Sequence, residues 1–170
     1  MLSDVLVERY SRQILLPEVG GRGQERLCAA RLVVAGDDEA SRFAVALLAR
    51  AGASVSSTPH PAGEIRVSAA ASAGVVGRWH ATAAAVATVV RAPCLACFDA
   101  SRLDLPEPGT STTSPALAQA TGALVAAETL RLLLGLATSG RIQTIDLAHG
   151  TTHGGPLSPT AGCPHCGVAA

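Results

Sequence analysis

Cysteine carries the clearest chemical pattern in this 170-residue chain. Four of its five cysteines form two pairs of identical spacing, Cys94-Leu95-Ala96-Cys97 and Cys163-Pro164-His165-Cys166. Two thiolates separated by two residues on a tight turn grip one edge of a tetrahedral ion, and two such turns close the shell without an open position. The pattern points to a structural zinc held by Cys94, Cys97, Cys163 and Cys166. Disulfide pairing or redox use stay open as alternatives, the latter needing a thioredoxin-like strand and helix start around one pair. His165, inside the second pair, is an alternative ligand that the equal spacings disfavour.

The other reactive side chains form no comparable constellation. Cys28 sits among helix-favouring residues, where cysteine behaves as a small buried hydrophobe. His149 and His153 have a helical ligand spacing, but Gly150, Gly154 and Gly155 argue for a loop there. His60 and His80 have no evident partner in sequence, and no Ser/His/Asp grouping has a nucleophile turn around it. Tyr10 and Trp79 read as packing residues. The chain contains no lysine, so a lysine on a phosphate or in a Schiff base is closed to it acting alone.

These residues need a frame, and composition bounds it. The length suits one core. The 48% of hydrophobic residues includes 33 alanines, so that core must be built by close approach of small side chains. Thirteen basic residues balance thirteen acidic ones, which argues against nucleic acid and against an anionic membrane surface. No apolar run reaches the ~18 residues of a membrane span, and the charged start MLSDVLVERYSR is unlike a secretory peptide. A cytoplasmic location is expected.

Residues 4–29 read as two short helices interrupted at Pro17 and Val19 to Gly23. Arg31 to Ala35 reads as a buried strand ended by Gly36, and a helix follows Asp37-Asp38-Glu39 up to Gly52. A second strand is expected over Ala53 to Thr58. From Ile65 to Arg91 branched residues favour strands, although the alanines between would suit a helix. Asp99 to Ser114 reads as a surface loop. Ser114-Pro115 starts a helix that runs to Leu134 and stops at Gly135. Arg141 to Leu147 reads as a strand, and His149 to Gly162 as a loop delivering the second cysteine pair.

In this order the motifs resemble the ThiF/MoeB-type family, prokaryotic relatives of ubiquitin-activating enzymes. Arg9-Tyr10-Ser11-Arg12-Gln13 is close to the family's opening RYxRQ motif, and Gly23-Gln24-Glu25 matches its next helix. VSAAASAGVVGR leads into Ala92-Pro93-Cys94-Leu95-Ala96-Cys97-Phe98, and Cys163-Pro164-His165-Cys166-Gly167 closes the match. The resemblance covers about residues 8–36 and 65–167. It implies a single domain over 1–170, with N-terminal helices in 1–30 and a zinc-containing section in 92–170. It also implies adenylation of a ubiquitin-like sulfur carrier with MgATP by a dimer in which Arg12 reaches the partner subunit's nucleotide site.

The chain departs from the family where the chemistry should lie. Backbone N–H groups cradle phosphate at a glycine-rich strand-to-helix turn, yet here only Gly36 precedes three carboxylates. Only Gly52 to Glu64 stands between the first helix of the frame and the strand leading to the first cysteine pair, where the family carries ribose, phosphate and magnesium ligands. No cysteine between Cys97 and Cys163 is available for thioester or persulfide chemistry. The expected fold is α/β, a truncated Rossmann-like, activating-enzyme-like domain with few parallel strands and a zinc-tied C-terminal section. The expected function is non-catalytic, with ATP and Mg not bound by this chain alone. It would serve as partner subunit or scaffold, in a homodimer or with a complete activating enzyme, and potentially with a ubiquitin-like sulfur carrier. An active adenylyltransferase and a peptide-binding accessory of a natural-product pathway are the alternatives. The few residues before Arg9 offer no room for the leader-binding domain usual in such accessories.

Overall fold

The computed structural model describes residues 1–60, 63–70, 73–80, 82–90, 93–100 and 114–166. Its centre is a seven-stranded mixed sheet in the order β2-β1-β3-β4-β5-β6-β7. The first unit is β1 (Arg31–Ala35), α4 (Glu39–Arg50) and β2 (Ser54–Thr58), preceded by α1 (Asp4–Arg9), α2 (Ser11–Ile14) and α3 (Gly20–Ala29). Alternation sets the faces of β1: Leu32 and Val34 are buried, Arg31 and Val33 exposed. The α4 crossover brings β2 parallel to β1, with Arg31 opposite Ser54 and Ala35 opposite Thr58.

Among the described residues that is the one parallel pair of the sheet. On the other side of β1 lies β3 (Glu64–Ala70), antiparallel, followed by the meander β4 (Ala73–His80) and β5 (Ala83–Val89). Within 65–91 the described residues thus form strands over 65–70, 73–80 and 83–89, as the branched residues suggest. After α5 (Leu95–Ala100) and α6 (Pro115–Leu133), the chain adds β6 (Arg141–Asp146) and β7 (Thr151–Pro156) in antiparallel pairings. The expected 99–114 loop begins inside α5, and its 101–113 part lies outside the described residues.

Two sequence expectations differ from the structure. The 149–162 segment contains β7, because Asp146 Oδ1 accepts the backbone N–H groups of Ala148 and His149 and turns the chain back along β6. As an edge strand β7 tolerates Gly154, Gly155 and Pro156, which would weaken a central one. At the N-terminus there are three helices, and α3 begins at Gly20 inside the stretch read as a break. Gly20 adopts φ +58°, the left-handed turn that lets a new helix start there.

Helices α4 and α6 cover one sheet face. Their spacing is set by small residues: a Cβ on Gly122 would lie 2.3 Å from the carbonyl oxygen of Ala40. Between these helices and the sheet Leu32, Val34, Ile65 and Val67 of the strands pack with Leu48 of α4 and Val125 of α6 in the main core. A smaller core of Val76, Ala87, Val89, Phe98 and Leu157, with Ile142 against it, gathers α5 and the chain after β7. Pairing partners show why there are two: Val76 faces Ala87 and Ala87 faces Ile142 across the sheet, one register step from Val75 and Val86 of the main core.

Candidate metal centre

The four cysteines are brought together by elements far apart in sequence. Cys94 stands immediately before α5, whose first turn closes when the N–H groups of Cys97 and Phe98 both donate to the carbonyl of Cys94, at 3.0 and 3.3 Å. The second pair lies on a turn after β7, in which the Cys163 N–H donates to the Thr160 carbonyl at 3.1 Å. Both turns rest on the smaller core, through Phe98 and Leu157.

The sulfur geometry fits a tetrahedral ion. All four Sγ atoms lie within 4.8 Å of one another. Separations are 3.9 Å for Cys94–Cys97, 3.6 Å for Cys94–Cys163 and 3.6 Å for Cys97–Cys166. A tetrahedron with Zn–S bonds of about 2.3 Å has edges of about 3.8 Å, whereas a disulfide needs sulfurs about 2.05 Å apart. The donor set is complete without a fifth group, and the site can hold a metal such as zinc.

Electrostatics favour thiolates. The Thr160 N–H donates to Cys97 Sγ at 3.3 Å. That bond, opposed by burial and helped by the amide bond from Cys94 and by the neighbouring thiols, lowers the Cys97 pKa to about 6. Cys163 is also held below its ordinary value, first by the backbone N–H groups of His165 and Cys166. Amide donors thus favour the deprotonated sulfurs that a metal requires.

Arg12, the other candidate, lies on the exposed side of α2 and makes no hydrogen bond or ion pair among the described residues. Its motif neighbour Tyr10 is buried, and a Cβ on Gly52 would lie 3.3 Å from the Tyr10 ring. Gln24, also fully buried, donates from Nε2 to the Ala51 carbonyl at 2.9 Å. These two residues of the N-terminal motifs thus fasten the first helices to the end of α4.

At the carboxyl ends of β1 and β2, Gly36, Ser41, Arg42, Val45, Thr58 and Pro59 line part of an open cleft of about 420 Å³. Beside it, Asp38 caps α4: Oδ1 accepts the backbone N–H of Ser41 at 3.0 Å and its hydroxyl at 2.9 Å. Gly36 makes this turn at φ +147°, where a Cβ would fall 2.0 Å from Ser41 Oγ. A carboxylate from the chain itself therefore occupies the helix end that phosphate uses in nucleotide folds.

Sequence reasoning missed two buried carboxylates. Glu64, 5% exposed, takes His60 Nε2 at 2.9 Å and Arg66 Nε on Oε1, and Arg78 Nε on Oε2. The His60-to-Glu64 spacing and the alternation of Glu64 with Arg66 along β3 were the available signals. Glu128 on α6 accepts from the Thr88 hydroxyl at 2.7 Å and from Gln143 Nε2 at 2.8 Å. His149 Nδ1 lies 2.7 Å from Asp146 Oδ2, and neither belongs to a metal-type cluster among the described residues.

No protein-family model matches the chain, and no curated protein matches it in sequence. The centre defines the protein's class only as an α/β protein with a mixed sheet and a four-cysteine, metal-competent site. Among the described residues no helix is long and apolar enough to cross a membrane.

Proposed function

We propose that this chain is a zinc-stabilised relative of the ThiF/MoeB-type activating enzymes that works without adenylation chemistry of its own, as a partner subunit or scaffold in a ubiquitin-like sulfur-carrier system. The observation that carries the reading is the Asp38 cap on α4. Phosphate binding at a strand-to-helix turn depends on unfilled N–H groups and a positive helix end. Here the cap consumes one such group, and Asp37 and Glu39 flank it with like charge to phosphate. Zinc, when bound, would offset half the charge of the four thiolates and cross-link α5 to the C-terminal turn, a structural role.

Association is supported by the N-terminal arm. Helices α1 and α2 bury none of their residues, while Val5 is 73% and Leu15 81% exposed. Helices this short are unstable alone and gain from being covered by a second subunit. In that arrangement Arg12 would extend toward the partner subunit's nucleotide, supplying positive charge in trans. A second reading, retained small-molecule or nucleotide binding by this chain, is favoured by the cleft at the ends of β1 and β2.

ATP–pyrophosphate exchange tests the first reading, and binding of ATP to the chain alone tests the second. The purified protein is assayed alone and with a complete activating enzyme and sulfur carrier from the same organism. The proposal expects no exchange by the chain alone and Arg12-dependent stimulation of the complete enzyme. Carrier-dependent exchange by the chain alone would overturn it.

A further inference from the structure

Helix α5 is short, yet it carries Cys97 and must present that thiol within tenths of an ångström. Its own turn constrains the backbone, but a six-residue helix needs an external hold to fix its rotation about its axis. Phe98, the residue directly after Cys97, provides the contact. Its ring is 1% exposed within the smaller core, and the Arg78 guanidinium lies 4.9 Å from the ring centroid. At this separation the cation is attracted to the ring face.

Arg78 is itself held. Its Nε donates to Glu64 Oε2, and the other carboxylate oxygen is engaged by Arg66 Nε and by His60 Nε2 at 2.9 Å. Glu64 and Arg78 are paired across β3 and β4, so the carboxylate grows from the rigid sheet and not from a loop. A continuous set of contacts therefore runs from the sheet through Glu64, Arg78 and Phe98 to the residue adjoining Cys97. The other cysteine turn rests on the same small core through Leu157, three residues before Thr160.

We propose that Glu64 and Arg78 are positioning residues for the four-cysteine centre, fixing α5 through the Phe98 ring and thereby setting its metal affinity. The proposal rests on the metal reading of that centre and adds residues that are not ligands. A guanidinium fixed at Nε by a carboxylate keeps its plane, whereas lysine offers a charge on a flexible stem without the Nε fork. Outer partners that orient metal ligands change affinity by about 10- to 100-fold when removed.

The test measures zinc affinity of the full chain by competition with a chromophoric chelator, in wild type, Arg78→Ala, Arg78→Lys and Glu64→Gln. Leu48→Ala, a cavity in the main core on the opposite sheet face, controls for general loss of stability. Arg78→Ala and Glu64→Gln are expected to weaken zinc binding about 10- to 100-fold. Arg78→Lys is expected to recover only part of the loss, and Leu48→Ala to bind as wild type does. Wild-type affinity in both Arg78→Ala and Glu64→Gln would overturn the proposal, as would equal weakening in Leu48→Ala. Should Arg78→Ala fail to fold, Glu64→Gln decides alone. Failure of the wild-type protein to take up one zinc per chain would overturn the metal reading itself, a result distinguishable from loss of coupling.

Discussion

The backbone N–H of Thr160 points at the sulfur of Cys97, 3.3 Å away and 63 positions earlier in the chain. This bond joins the two cysteine turns directly, and it favours the thiolate over the thiol. The C-terminal turn thus prepares the first cysteine pair for a cation as well as supplying the second. Metal binding and the docking of residues 157–166 therefore reinforce each other.

Removal of the metal is expected to loosen that segment while Leu157 keeps it against the small core. In the chelated protein, amide exchange should speed up in Leu157 to Cys166 and in α5, while α4 and β1 keep their protection. Cobalt substitution is expected to give the intense visible bands of a tetrahedral all-thiolate site. Cys97→Ser should abolish the bands and lower Tm to that of the chelated wild type.

Acid should release the metal as protons take the thiolates. Protons compete with the ion for thiolates, so affinity declines as pH falls. With the Cys97 pKa near 6 while the Thr160 N–H stays in place, this sulfur is half protonated at about that pH in the metal-free protein. Zinc binding followed from pH 8 to 5 should release fewer protons per chain than four unperturbed thiols would.

Glu64 contributes a separate pH dependence. Burial alone would raise its pKa, but hydrogen bonds from Arg66, His60 and Arg78 outweigh it and bring the value down to about 2. A depressed carboxylate pKa stabilises the fold fully above the unfolded value near 4.5, and this contribution drains away as pH falls through about 2. Glu64→Gln should lower stability at pH 7 and approach the wild type toward pH 2. Glu64→Ala leaves its cationic partners without their shared carboxylate, at a cost of about 3 kcal/mol by urea denaturation at pH 7.

Close approach of α4 and α6 gives a steric prediction. Gly122→Ala sets its Cβ 2.3 Å from the Ala40 carbonyl oxygen, so the helices must separate. Overpacking of this kind costs about 1–3 kcal/mol. Gly155→Ala, whose Cβ meets nothing within 4 Å, should be nearly neutral. Leu48→Ala opens a cavity between α4 and the sheet and should cost about 2–5 kcal/mol.

Local signals were readable in the chain before any fold was known. RLVVA reads as an apolar strand, Ser114-Pro115 starts a helix, Gly135 at φ +76° stops it, and each paired cysteine spacing marks a turn. All depend on neighbours within a few positions, where backbone sterics and hydrogen bonding act directly. What pairs with what depends on contacts whose free energy exists only once distant segments meet. Tertiary structure alone decided that β1 takes antiparallel β3 as a neighbour, that β7 forms beside β6, and that Glu64 gathers Arg66 and Arg78. The same holds for the metal centre: spacing named the four sulfurs, but the packing of Phe98 and Leu157 into one small core brings all four within 4.8 Å of one another.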